Sequence, residues 1–181
     1  VRDGLVALCV MKVLIAIGLS AVALAAFALD KTVRKELKDG YVRVETPSYT
    51  IEVPKAWSVS AETPWGARKL SPDQGKAEMG TMTAGPTRAG WDELLRTSMY
   101  FILREEKGKP TPHTISRTSQ GYEACSFSVL DEEGFAKRRY VLLKNSDGRV
   151  LALNVRIPDR QSEAALAKHF ERLVRTARFA D

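Results

Sequence analysis

Residues 121–157 constrain the fold more than any other part of this 181-residue chain. Three extended runs are separated there by two turn signals, Asp131-Glu-Glu-Gly134 and Asn145-Ser-Asp-Gly148. Two-residue turns centred on Glu133-Gly134 and Asp147-Gly148 set Phe127 opposite Tyr140, and Tyr140 opposite Val155. Cys125 then stands opposite Leu142, and Leu142 opposite Leu153. All six side chains fall on one face, as a single register requires. Two independent turn assignments that yield one apolar face predict a three-stranded antiparallel meander. The other face carries Val141, Leu143 and Ala152 together with Ser126, Ser128, Asn154, Arg139 and Arg156. That face is partly apolar, so another layer covers one end of it.

The flanking segments supply the helices. Gly90–Lys107 places Trp91, Leu94, Leu95, Met99, Ile102 and Leu103 on one face, with Asp92 and Glu93 at its start and Lys107-Gly108 closing it. Ser162–Arg178 places Leu166, Phe170, Leu173, Val174 and Ala177 on one face, with Ser162 as N-cap and Arg172, Arg175 and Arg178 near its end. Upstream, Val42 and Val44, then Tyr49, Ile51 and Val53, alternate with polar residues as half-buried strands do. Pro54 ends the second strand, and Trp57 and Val59 begin another short extended piece. Residues 61–75 read as loop around a weak strand, and Ala77–Thr83 as a further strand stopped by Gly85-Pro86. The expectation is an α+β protein: an α/β/α sandwich with a mainly antiparallel sheet and one helix on each side.

The N-terminus has the three parts of a secretory signal. Lys12 follows Met11, an uncharged apolar run continues to Ala28, and the run ends in Ala26-Phe27-Ala28. The run is shorter than the ~20 residues of a membrane-spanning helix, so cleavage after Ala28 is expected, with an uncleaved anchor as the alternative. Residues 1–10 read as an over-extended start, 29–40 as a linker, and 41–181 as one domain. Cleavage removes Arg2, Lys12 and Asp3 from 28 basic and 22 acidic side chains, leaving 26 against 21. The mild basic excess is scattered, which argues against a nucleic-acid-binding arm. Cys125 is then the only cysteine, so no intramolecular disulfide forms outside the cytoplasm.

Strands opening with Tyr49-x-Ile-x-Val-Pro-x-x-Trp57, a mid-chain helix, a three-stranded meander and a C-terminal helix ending near Phe179 resemble the PsbP-like superfamily. That group includes the DcrB-like bacterial envelope proteins and a nuclear-import factor that binds the GTPase Ran. The resemblance covers about residues 45–180. It implies an α/β/α sandwich with an antiparallel sheet, and binding or assembly rather than catalysis. No metal or partner residues carry over from it, and no photosynthetic role follows from a shared fold.

No hydrolase elbow, phosphate loop, dinucleotide fingerprint or zincin motif occurs, and the sequence implies no cofactor. Cys125 with His113 and Asp131 is the sharpest enzymatic arrangement, yet Cys125 falls on the apolar face, where a free cysteine is ordinarily core. Trp57 and Trp91 read as core anchors. Trp65, in the turn-rich Pro64-Trp65-Gly66, reads either as packing over a sheet edge or as a partner contact. The meander register sets Arg139 opposite Arg156. An acidic side chain from a helix or loop neutralises such a pair, or an acidic partner or anion does. The arginines late in the last helix read as a solvated face, with anionic lipid as the alternative. The partner expected is an envelope protein, an acidic one where it is the partner that neutralises the arginines, and membrane contact is not required once the signal is cleaved; a small-molecule cleft near the Trp65 loop is the alternative.

Overall fold

Each turn of the meander is one residue longer than a two-residue loop, and this fixes how the sheet is built. The computed structural model describes residues 32–63, 66–72, 79–105 and 107–181. In it Asp131 N donates to Phe135 O and Asn145 N donates to Arg149 O, each enclosing a three-residue loop. The strands are β9 (Glu123–Leu130), β10 (Ala136–Lys144) and β11 (Val150–Arg156), paired antiparallel in that order. Phe127 opposes Tyr140 and Cys125 opposes Leu142, as the sequence predicts. The second pairing departs from that prediction: Tyr140 opposes Asn154, Leu142 opposes Ala152, and Val141 opposes Leu153. Leu153 and Val155 therefore lie on the opposite face from the one expected.

The sheet continues beyond the meander. β4 (Trp57–Val59), β5 (Ala67–Pro72) and β6 (Met79–Ala84) extend it past β11, in the order β4-β5-β6-β11-β10-β9. The far edge is β7 (Lys109–Pro110) and β8 (Thr114–Arg117), both paired with β9. Pro112 and His113 stand between the two pairings, two residues facing Phe127 alone, so the edge is broken by a bulge where a proline needs no ladder partner.

A second sheet holds β1 (Val33–Glu36), β2 (Tyr41–Glu45), β3 (Tyr49–Pro54) and β12 (Arg178–Phe179) in the order β1-β2-β3-β12. Residues 33–36, expected as linker, are thus its edge strand, held by Lys35–Glu45 and Glu36–Lys55 ion pairs. Phe179 belongs to its other edge rather than to a helix, and packs edge-on against Tyr122 at 5.1 Å.

Helix α1 (Trp91–Glu105) covers one face of the large sheet at its β9–β10 end, burying Leu95 against Cys125, Phe127, Val129, Tyr140, Leu142 and Val150. Helix α2 (Arg160–Thr176) and the small sheet cover the other face, where Leu166, Phe170 and Leu173 join Val44, Ile51, Val53, Leu143, Leu151, Leu153 and Val155 in the larger core. Each large aliphatic side chain removed from water there contributes about 1.5–3 kcal/mol. The N-cap of α2 is Asp159, not Ser162: its carboxylate accepts from Ser162 N and from Ser162 Oγ, both at 2.8 Å. Among the described residues no helix is long and apolar enough to cross a membrane. The expected signal segment lies outside the described residues.

Candidate functional site

A groove opens where α2 stops short of the sheet edge. Along β9 the side chains on the α2 side are Ala124, which is buried in the core, and Ser126 and Ser128, which are half-buried and too small to fill the space beside the helix. α2 packs instead on β3 and β11. Between α2 and the β7–β8 edge two hollows of about 380 Å³ each share Val141 and Phe170. One is lined by Arg139, Ser126, Ser128 and Thr114, and the other by Val141, Phe170, Val174 and Gln120.

Arg139 is held at the polar hollow by Glu163 from the first turn of α2; both side chains are about one-third exposed (33% and 37%). This is the acidic neutralisation expected of a helix. The register, however, puts Arg138, not Arg139, opposite Arg156, so Arg139 and Arg156 lie on different faces and form no joint site. Arg156 is exposed, and its register opposite Arg138 puts it on the α1 side of the sheet. Trp65 lies outside the described residues; nearby, Glu62 pairs at 2.8 Å with the buried guanidinium of Arg68. The two hollows lie by β9 and β10, not by β4–β5 where a Trp65 cleft is expected.

Sequence reasoning does not reach Gln120. Gly121 marks its turn, but nothing local in the sequence shows that the turn meets the end of α2. Gln120 Nε2 donates to Arg175 O and Ser119 Oγ, each at 2.9 Å. Its Oε1 is shielded from solvent and meets no donor among the described residues.

The cysteine arrangement does not assemble. Cys125 is fully buried and burial pushes its thiol pKa up, away from thiolate character. The Asp131 carboxylate is used by its own turn, accepting from Glu133 N at 3.0 Å and Phe135 N at 2.9 Å. His113 is exposed on the edge bulge. Among the described residues no cluster of three or more His, Cys, Asp or Glu is arranged to hold a metal.

A separate polar cluster ties α2 to the small sheet. Arg172 donates to Glu52 through Nε (3.0 Å) and Nη2 (2.6 Å), reaches Asp39, and lies 3.7 Å over the Tyr41 ring. Burial disfavours the Glu52 carboxylate, but Arg172 and Arg43 outweigh it and hold its pKa below the usual range. His169 Nδ1 lies 2.8 Å from the Tyr41 hydroxyl, and burial, aided by Lys168, lowers its pKa. Arg172, Arg43, Glu52 and Asp39 are all paired within the fold, so Arg172 belongs to structure rather than to the solvated face expected.

No family model matches the chain, and no curated protein matches its sequence. Among solved structures it is similar to cyanobacterial PsbP (CyanoP) from Synechocystis sp. PCC 6803, with a TM-score of 0.53 and 10% identity over 84% of this chain and 94% of that one. A protein of Bacteroides thetaiotaomicron superposes at a TM-score of 0.39, with 10% identity over 74% of this chain and 45% of that one, too distant to bear on the architecture. At such identity the likeness to CyanoP is one of fold alone: the chain has a PsbP-like α+β fold.

Proposed function

We propose that this chain is an exported, non-catalytic binding or assembly protein of the cell envelope, and that the groove beside α2 holds part of a partner protein. The observation that carries the reading is the hollow over the half-buried Ser126 and Ser128 of β9, between a helix and a sheet edge. Interiors are packed to near-crystalline density, so an open trough of this size on an ordered sheet face marks a place for a second molecule. The buried Cys125 and the turn-bound Asp131 support binding over nucleophilic catalysis.

The test is a photo-crosslinking residue at position 128 of the full chain, activated in the native cell envelope. One recurrent partner near unit stoichiometry is expected, and Ser126→Trp, which fills the polar hollow, should abolish it. An empty capture from well-expressed, exported protein would move the assignment to a small ligand. That ligand would show as a saturable thermal shift, because binding to the native state stabilises it by mass action.

A further inference from the structure

The β9 edge of the large sheet is closed along one half and open along the other. β7 is two residues long, contains Pro110, and is followed by the bulge at Pro112 and His113, devices that stop a sheet from growing. β8 has none of them. We infer that the free edge of β8 receives an extended strand of a partner protein, with an apolar residue opposite Ile115 and an acidic one opposite Arg117. This edge is separate from the groove beside α2, and its pairing needs nothing from the groove.

Alternation along the ladder shows which main-chain groups are free. Thr118 N donates to Tyr122 O where the β8–β9 hairpin closes. Bonded and non-bonded pairs alternate from there. Thr114 and Ser116 therefore bond across to Ser126 and Ala124, while Ile115 and Arg117 turn their N–H and C=O outward. β8 pairs with no other strand among the described residues, and all four of its residues are exposed. Main-chain donors and acceptors at strand spacing are matched by another main chain.

The side chains choose among strands. Ile115, at 53%, is the most exposed large apolar side chain among the described residues. It stands beside Cys125, so an apolar residue opposite it would continue the row of Cys125 and Leu142. Arg117 stands beside Glu123, but that carboxylate accepts from Trp91 Nε1 at 3.2 Å, and Arg117 makes no ion pair among the described residues. From 107 to 122 the chain carries Lys107, Lys109 and Arg117 and no carboxylate. Two copies joined through this edge would bring those cations together, whereas an acidic strand meets them favourably. The remaining edges are protected: β1 is charged at Arg34, Lys35 and Glu36, and β4 and β12 are very short.

The experiment selects phage-displayed random peptides on the full chain and measures the best of them by fluorescence anisotropy. Enriched peptides should share an apolar residue and, next on the same face of the strand, an acidic one. Amide exchange followed by NMR reads the pairing directly: bound peptide should slow exchange at Ile115 and Arg117 by more than about tenfold and leave Ser116 unchanged. Ile115→Pro removes an outward N–H without touching the β9 ladder, and should abolish binding while Cys125 stays protected from iodoacetamide. Should that variant fail to fold, the exchange pattern of the wild type decides. Arg117→Gln should weaken binding about threefold to tenfold and flatten its salt dependence. Absence of enrichment, or binding that leaves both amides unprotected, overturns the inference, and so does a dimer in sedimentation that Ile115→Pro dissociates. Binding lost with Ser126→Trp but kept with Ile115→Pro would leave the groove as the partner site and the edge reading refuted.

Discussion

The hairpin joining β9 to β10 and the hairpin joining β10 to β11 are closed by the same backbone device. In each, a three-residue loop ends in a glycine at φ +79°, and that glycine's N–H returns to the first turn residue, Asp131 in one and Asn145 in the other. They differ in the strand that leaves the turn. After the first turn β10 carries an extra residue, Lys137, whose N–H turns back to Phe135 O while Arg138 moves on to pair with Val129. After the second turn β11 carries none, and the pairing runs unbroken from Lys144–Val150 to Arg138–Arg156. The bulge returns the first hairpin to the register that a two-residue turn would have given, while the second stays one residue away. Identical turn chemistry thus leaves the facing of a strand undecided; a single unpaired residue decides it.

Inserting one alanine between Lys137 and Arg138 is the largest perturbation this comparison offers. With the one-residue bulge kept, Phe127 would oppose Arg139 instead of Tyr140, and the apolar residues of β9 and β10 would no longer share a face. The expected outcome is loss of more than ~4 kcal/mol or of the cooperative transition in urea. Iodoacetamide reports the same event: Cys125 should resist alkylation in the native wild type and react in the insertion variant. Deleting Lys137 instead leaves Val129–Arg138 and Phe127–Tyr140 paired and should keep Cys125 protected. A stable insertion variant with protected Cys125 would show that one unpaired residue does not decide the register.

The glycines separate local strain from tertiary fit. A Cβ at Gly134 would meet nothing within 4 Å, whereas one at Gly148 would lie 2.4 Å from Thr87 O. Thr87 N donates to Gly148 O at 2.9 Å, and Lys144 Nζ to Ala89 O at 3.0 Å, so the second hairpin clamps the segment leading into α1. Gly134→Ala should cost about 1 kcal/mol, the strain of a left-handed alanine. Gly148→Ala should cost about 3 kcal/mol, since backbone must also move. Equal losses in urea unfolding would mean that the clamp contributes nothing.

The same two hairpins mark how far the sequence is legible. The meander, both helices and the strands over 42–53 follow from periodicity and turn residues, which act over a few positions. Sequence alone sets Leu153 and Val155 on the wrong face because a glycine-closed turn accommodates either loop length, and the aliphatic row Leu151, Leu153 and Val155 suits the core on either side of the sheet. Arg139 stands out in the sequence for a clash with Arg156 that does not exist, yet it does line the groove, beside Ser126 and Ser128 of the same face. Gln120 is invisible because its role depends on where the end of α2 comes to rest, a contact between segments far apart in the chain. β1, β7 and β12 escape a reading by pattern because short edge strands carry no alternation of burial.

Acid should test whether the hairpins are the firm part of the fold. Glu52, Asp39 and His169 sit where α2 meets the small sheet, and all three have folded pKa values below their ordinary ones. In each case the unfolded chain binds the proton more readily, so stability falls as pH falls. For His169 burial is the cause, and the loss begins below about pH 6.5; for the carboxylates, held by Arg172, it begins below about pH 4.5. His169→Gln should flatten the upper part of the stability–pH curve and Glu52→Gln the lower part, each at some cost at neutral pH. Hydrogen exchange at about pH 4 should show amides of β1–β3 opening while those of β9–β11 remain protected. If the meander opens first, its two hairpins are the weak element, and the Arg172 cluster is the tie that holds the domain together.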